Sequence, residues 1–454
     1  MRASVLLYRS LHVFSGLAVF ASLLAAQPAP YRMLTTIQVP GNLLGGFDIS
    51  WADSANARYY LADRGNATAT PPLSPRIDVI DTANDVLLGT VTLPAAVNGV
   101  LSIPRAHEIW VGDNSSNVQV IDTNSLTITH TISTGGTARA DETAYDGVHH
   151  LVLIANDRDT PPFVSFISTT TYTVLKKINY DGTNGNPQST GGIEQPVWDG
   201  AANKFYISIP ATKANANGEV DELDPVSLSI TRTIPSACTG PAGLVLIPGQ
   251  RLMSSCGDVI DIAGGKVLTT IAGVGGDEIW FNPGDEHVYF GGSAGATNRI
   301  GVSVVDANAN QLLTTLTVGK IVAAPGVSQT THSVAADGTN NQIFVPVTGV
   351  GVEVWSNGPS VVSFTANPNP IPVATGVRYG STTLSWSAPD AGLVEIHVGS
   401  PSGPIFTQQG NTGTAQTGTW VADGTTFYLQ DVTGGKALTA ANTLAILVVH
   451  LKSM

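Results

Sequence analysis

Four acidic residues and one histidine recur at the same distance from a repeated strand of the sequence. They are Asp48, Glu142, Glu194, Glu278 and His332, each 12 or 13 residues before the middle of that strand. Carboxylates crowded at one level raise one another's pKa or bind a cation. Oxygen ligands suit Ca²⁺ or Mg²⁺, and an imidazole adds tolerance for zinc. These residues are our candidate metal ligands; a water-filled channel with a solvated polar lining is the alternative interpretation.

Other kinds of site are excluded or left unassigned. The sequence lacks the motifs of a serine hydrolase elbow, a zinc protease or a phosphate-binding loop. It also lacks a haem or quinone signature, so no residue is assigned as catalytic or as binding an organic cofactor. The net charge is -13 and no Lys/Arg cluster exists that could replace phosphate counterions. Nucleic-acid binding is therefore not expected.

The elements that position these residues come from an internal repeat. A strand of the type Val-x-Val-Ile-Asp occurs seven times, at residues 77–81, 118–122, 164–167, 220–224, 259–261, 302–306 and 352–355. A second apolar strand precedes each copy, as at residues 59–63 and 109–113. The spacing is 41 residues from Asp81 to Asp122 and 45 from Asp261 to Asp306. Periods of this length are typical of a four-stranded propeller blade.

The last copy has no fourth strand after Trp355, because a linker begins at residues 357–359. Residues 33–39 resemble the fourth strands of other copies and precede the first one. Pairing them with the last blade would close the ring and remove exposed sheet edges. The sequence therefore predicts a seven-bladed β-propeller over residues 33–356, with an open superhelix as the alternative.

The repeats resemble those of YVTN-type (YncE-like) β-propellers. Residues 109–113, followed by residues 118–122, carry this resemblance most clearly. It implies a propeller fold and a protein that binds through its loop surface, without defining a reaction.

Residues 357–454 differ from the repeats. Short strands alternate with turns at residues 382–386, 394–398, 419–421, 426–429 and 444–449. This pattern resembles immunoglobulin-like or fibronectin-III-like modules of secreted proteins. We expect an all-β chain in which a small β-sandwich follows the propeller.

The N-terminus indicates export. Arg2 and Arg9 precede an apolar stretch at residues 11–24, and Ala25-Ala26 follows it. Residues 1–26 are therefore predicted to be a signal peptide, with an uncleaved membrane anchor as the alternative. No later segment is long enough to span a bilayer. The predicted location is periplasmic or extracellular.

Export also bears on the two cysteines, Cys238 and Cys256, which lie in one repeat. An oxidising compartment favours a disulfide between them. Two separate buried thiols are the alternative.

Two functions follow as hypotheses. The first is a non-catalytic scaffold that binds a small molecule, glycan, metal or envelope protein at the channel mouth. The second is a divalent-metal-dependent hydrolase, by analogy with gluconolactonase-like propellers that hold a cation with Glu, Asn and Asp. Glu142, Glu194, Glu278 and Asn98 are the matching residue types.

Overall fold

The computed structural model describes residues 31–40, 44–67, 70–292, 300–319, 329–357, 362–388 and 391–454. The predicted signal peptide, residues 1–26, lies outside them. Seven four-stranded antiparallel sheets form the blades of a β-propeller, and further sheets follow in the C-terminal part. The predicted fold class is confirmed.

The strands of the propeller follow one another in chain order. The first is β1 (Arg32–Ile37). Blades one to three contain β2 (Phe47–Asp53), β3 (Arg58–Asp63), β4 (Arg76–Asp81), β5 (Val86–Thr92), β6 (Val97–Ile103), β7 (Glu108–Asp113), β8 (Asn117–Asp122), β9 (Thr127–Ser133), β10 (Thr143–Asp146), β11 (Leu151–Asn156), β12 (Phe163–Ser168) and β13 (Thr173–Asn179).

Blades four to six contain β14 (Pro196–Asp199), β15 (Lys204–Ile209), β16 (Glu219–Asp224), β17 (Ser229–Pro235), β18 (Leu244–Ile247), β19 (Arg251–Ser254), β20 (Asp258–Asp261), β21 (Lys266–Thr270), β22 (Ile279–Asn282), β23 (His287–Gly292), β24 (Gly301–Asp306) and β25 (Gln311–Thr317). The seventh contains β26 (Ala335–Asp337), β27 (Gln342–Val347) and β28 (Gly351–Ser356).

The seventh blade is completed by the start of the described chain. Strand β1 pairs antiparallel with β28, and Ile37 lies opposite Val352. This is the place that the sequence analysis assigns to residues 33–39. Tyr59 of the first blade stacks on Phe344 of the seventh, with ring centroids 5.0 Å apart. The ring is therefore closed by both backbone pairing and side-chain packing.

The cores lie between neighbouring blades. Second strands such as β7 are almost wholly buried, whereas the outer strand β9 is mostly exposed. Between the third and fourth blades, Phe166 meets Phe205 edge to face at 6.0 Å. Each sheet is thus covered on one face by the preceding blade and on the other face by the next blade. Burial on both faces explains the near-continuous apolar runs of the inner strands.

The aspartate that ends the repeated Val-x-Val-Ile-Asp strand has a structural role. Asp122 accepts hydrogen bonds from the N–H groups of Asn124 and Ser125, at 3.1 and 2.7 Å. Leu126 then adopts a left-handed φ of 54° and donates its N–H to the Asp122 carbonyl. The side chain stabilises the tight turn into the fourth strand, so this part of the repeat specifies the fold.

The C-terminal part forms separate sheets. Its strands are β29 (Ser363–Asn367), β30 (Ile371–Val373), β31 (Thr383–Ser387), β32 (Val394–Val398), β33 (Ile405–Gln409), β34 (Thr412–Gln416), β35 (Thr425–Asp431), β36 (Thr443–Val449) and β37 (Leu451–Ser453). A three-stranded sheet, β29-β31-β34, and a four-stranded sheet, β33-β32-β35-β36, share one apolar core. Leu384, Trp386, Phe427 and Leu429 are buried in it.

Among the described residues, helical structure is confined to short 3-10 turns at Pro104–Ala106, Thr433–Gly435 and Ala440–Asn442. Within the described ranges, no helix is long and apolar enough to cross a membrane.

The disulfide between Cys238 and Cys256 is confirmed, with Cα atoms 5.8 Å apart. It joins the loop after β17 to the turn after β19 in the fifth blade. The Asp258 carboxylate accepts hydrogen bonds from the N–H groups of Ala237 and Cys238, at 2.7 and 3.1 Å. The bridge and this carboxylate together hold the loop.

Candidate functional site

The first strand of every blade lines the central channel. These strands contact one another around the ring, β2 against β6 and β26, and β14 against β10 and β18. Asp48 lies in β2, while Glu142, Glu194, Glu278 and His332 lie just before the first strands of their blades. The register predicted from the sequence therefore places all five at one mouth of the channel.

His332 and Asp48 meet directly at this mouth. His332 Nε2 lies 3.3 Å from Asp48 Oδ1, and its ring stacks on Phe47 with centroids 4.5 Å apart. Asp48 also pairs with Arg64, which donates to the Asn98 side-chain oxygen at 2.8 Å. To bind a metal, His332 and Asp48 would have to give up these contacts.

Arg139 binds three carboxylates from two blades. Its guanidinium donates to Asp157 through Nε and Nη2, at 2.9 and 2.8 Å. It also lies 2.7 Å from Asp141 Oδ2 and 3.3 Å from Asp48 Oδ2. Its side chain is only 18% exposed. We call Asp48, Asp141 and Asp157 the paired carboxylates.

Glu142, Glu194 and Glu278 are in a different state, and we call them the carboxyl trio. Burial, then the charges of Glu278 and Glu194, raise the pKa of Glu142, so the three carboxyl groups lie near one another. Within the described part of the chain, no Lys, Arg or His lies within 4.0 Å of a trio carboxylate. Glu142 Oε2 and Glu278 Oε2 accept no hydrogen bond from a described donor.

Burial changes the acidity of the trio. Desolvation, together with the charge of neighbouring carboxylates, raises the pKa values of Glu142 and Glu278 well above their usual range. Burial, then the charges of Asp157 and Asp277, raises the pKa of Glu194 to about 7. The trio therefore retains protons near neutral pH unless a cation replaces them.

Two blades contribute no ionisable residue at the predicted level. In the second blade, Gly99 stands where other blades have an ionisable residue. A Cβ at this position would lie 1.8 Å from the Asp141 carbonyl oxygen. The missing side chain lets the loop that carries Arg139 and Asp141 lie against this blade. In the fifth, the backbone N–H groups of Ala242 and Gly243 donate to the Ser255 hydroxyl.

The sequence analysis missed Arg64, Arg139, Asp141 and Asp157. Arg64 and Asp157 directly follow second strands, and antiparallel pairing places that end beside the start of the first strand. This signal was available in the repeat pattern. Arg139 has no equivalent position in other copies, so its role depends on the path of one loop.

The trio is not a preformed metal site. In the described chain, the single group with three potential ligand atoms within 4.8 Å of one another is Cys238, Cys256 and Asp258. Its sulfurs are bonded to each other, so it is unavailable for a metal. Oxygen donors of the trio suit a hard cation such as Ca²⁺ or Mg²⁺, and metal binding there stays a prediction.

Comparisons with known proteins add no family assignment. No protein-family model matches the chain, and no curated protein matches it.

Proposed function

We propose that this protein is an exported, non-catalytic binding protein of the YVTN-type (YncE-like) propeller group, and that its channel binds a positively charged ligand at the trio. One observation carries the proposal: Glu142, Glu194 and Glu278 are crowded together without a paired cation among the described residues. The neighbouring carboxylates at the same mouth are paired with arginines.

A positively charged ligand would compensate the buried carboxyl groups of the trio. A buried carboxylate without a partner is costly, so each trio member keeps a proton or shares one. A ligand that brings positive charge replaces that proton and satisfies the oxygen atoms that lack donors. Binding then releases protons and strengthens as pH rises through the pKa values of the trio.

The group and the location rest on separate support. The repeated strands and the seven sheets agree with a YVTN-type propeller, and a disulfide suits an oxidising compartment. Mass spectrometry of the protein recovered from the periplasm of an expressing cell would test export. A mature N-terminus close to Gln27 supports it, and an intact Met1 contradicts it.

The binding test has two steps. Elemental analysis of the purified protein, before and after dialysis against a chelator, shows whether a divalent metal is retained. Calorimetric titration with Ca²⁺ and with methylammonium then measures binding. We expect at least one cation to bind, and the double change Glu142→Gln/Glu278→Gln to abolish binding.

The matched control is Glu286→Gln, which alters an exposed carboxylate in the same blade as Glu278. It should bind as the unmodified protein does. If neither cation binds, or if the double variant binds normally, the proposal is wrong.

A hydrolase remains the second candidate because of Glu194. A carboxyl group with a pKa of about 7 is suited to act as a general base. Screening lactones and aryl esters with Ca²⁺ or Mg²⁺ tests this function. Turnover that Glu194→Gln abolishes would support it. Unchanged metal content in a Glu194→Gln/Glu278→Gln variant would contradict it.

A further inference from the structure

Beyond the trio the channel opens into a cavity of about 360 Å³, which we call the aromatic chamber. Its wall includes Trp51, Tyr145, Trp198, Trp280 and Phe281, all on first strands. These side chains are half-buried, so one side of each is available for contact. The indole rings of Trp51 and Trp280 meet edge to face at 5.1 Å. A volume of this size is typical of small-molecule sites.

A narrow neck connects the aromatic chamber to the trio. It holds only about 20 Å³ and is lined by Trp51, Trp280 and Thr143 together with Glu142 and Glu278. This space admits one group about the size of a water molecule. Thr143 Oγ1, although its residue is only 8% exposed, has no hydrogen-bond partner among the described residues. Oxygen atoms that lack hydrogen-bond donors therefore lie in the residues that form the wall of the neck, buried just beneath its surface.

These features together define a ligand class. The chamber wall offers aromatic faces, and none of the described residues that line it is charged, which suits an apolar or aromatic body. The neck offers carboxyl oxygens to a group that is small, positively charged and able to donate hydrogen bonds. A primary ammonium has all three properties, and aromatic faces add attraction for a cation close to them.

We propose that the channel binds an arylalkyl amine, with its ring in the aromatic chamber and its primary ammonium in the neck, donating to Glu142 and Glu278. The inference rests on the proposed function, because it assigns the ligand that neutralises the trio. A neutral apolar ligand would leave the carboxyl oxygens unsatisfied. A trimethylated ammonium has no N–H donor and is too large for the neck.

The ammonium must displace protons to bind. Burial raises the pKa values of Glu142 and Glu278, so both hold a proton more tightly than an ordinary carboxyl group does. The acidic groups that act most strongly on this pair are Asp48, Asp141, Glu194 and Asp277. Arg139 in turn acts on Asp141 and Glu194, and His332 acts on Asp277. Binding therefore releases protons, which calorimetry in two buffers of different ionisation enthalpy detects.

The first test compares three ligands on the unmodified protein by calorimetry and tryptophan fluorescence. They are 2-phenylethylammonium, n-propylbenzene and 2-phenylethyl-trimethylammonium. The first two have the same size and differ by the exchange of an ammonium for a methyl group. We expect 2-phenylethylammonium to bind at least about tenfold more tightly than n-propylbenzene, because charged hydrogen bonds are among the stronger contacts. The trimethylated compound should show no advantage over n-propylbenzene.

Variants then locate the ligand. Trp280→Leu should weaken 2-phenylethylammonium binding several-fold, and Glu142→Gln/Glu278→Gln should remove its advantage over n-propylbenzene. Trp420→Leu, a change to an exposed tryptophan of the C-terminal sheets, should leave binding unchanged. Thermal unfolding of each variant verifies that it is folded.

Two outcomes overturn the inference, and they differ from failure of the proposed function. Equal affinity for 2-phenylethylammonium and n-propylbenzene would show an apolar chamber that does not use the carboxyl groups. Absence of binding by all three ligands, while Ca²⁺ or methylammonium still binds, would leave the proposed function standing without this ligand class.

Discussion

The two sets of carboxyl groups at the channel mouth have similar positions and opposite surroundings. Asp48, Asp141 and Asp157 surround one guanidinium, that of Arg139, and Asp48 also meets Arg64. The trio has burial of a similar degree without an ion-paired cation in the described chain. The loop that brings Arg139 between blades creates most of this difference, and Arg64 and Arg158 add to it.

The comparison separates stability from function. Asp48 and Asp157 have their charge satisfied by arginines inside the protein, whereas burial and the charge of Asp48 raise the pKa of Asp141 well above its usual range although it pairs with Arg139. The trio has raised pKa values and oxygen atoms that lack hydrogen-bond donors. In this condition the attraction for an external cation is strongest. Acidic residues that look alike in the sequence thus differ in the structure by whether an arginine contacts them.

The largest effect should come from Arg139→Gln, because it leaves three mostly buried carboxylates without their shared cation. We expect a loss of about 4 kcal/mol in the free energy of unfolding, measured by denaturant titration. Arg158→Gln is the control. Arg158 also pairs with Asp157, yet its side chain is 69% exposed, so its loss should cost under about 1 kcal/mol. Similar losses for both variants would contradict the conclusion that Arg139, and not Arg158, neutralises the buried carboxylates.

The next effect is the pH dependence contributed by Glu194. Because folding raises its pKa from 4.5 to about 7, the folded state binds its proton more tightly than the unfolded state. Its contribution is fully present below pH 4.5 and is lost as pH rises to about 7, a change on the order of 3 kcal/mol. Denaturant titrations across this range should show a smaller decline in Glu194→Gln, while Glu286→Gln keeps the full decline. An identical decline in Glu194→Gln would show that folding does not raise the pKa of Glu194.

Loss of the disulfide should destabilise the protein without changing the mouth. Cys238 and Cys256 are 18 residues apart, a loop whose closure is worth about 3 kcal/mol in the unfolded chain. We expect Cys238→Ser/Cys256→Ser to lower unfolding free energy by this amount while keeping the pH dependence of the unmodified protein. A changed pH dependence would mean that the fifth blade helps to position the trio.

The smallest effect should come from His332→Gln. His332 contacts Asp48 at 3.3 Å, but Asp48 retains Arg64 and Arg139 as partners. Thermal unfolding should show a loss of about 1 kcal/mol, from the hydrogen bond to Asp48 and the stacking on Phe47. A loss as large as that of Arg139→Gln would place His332 among the groups that hold the mouth together.

Much of the architecture could be predicted because it repeats. Strands such as β7 and β8 carry the same pattern in each copy, so their number and spacing indicated blades. The first-strand register followed from antiparallel pairing, which is why Glu142, Glu194 and Glu278 could be placed at one level. Arg139 occurs once, in a connecting loop without a repeat, and pattern comparison had no means to find it.

By itself the sequence determined the repeated sheets, the cysteine pair within one repeat and the set of acidic residues at one mouth of the channel. These features depend on local strand patterns and spacing. Only the tertiary structure decided which carboxylates are neutralised. Arg139 reaches Asp48 across 91 residues of chain, and that contact exists only once the blades close into a ring. The aromatic chamber has the same origin, because Trp51, Trp198 and Trp280 belong to different blades and share a cavity only around the closed channel.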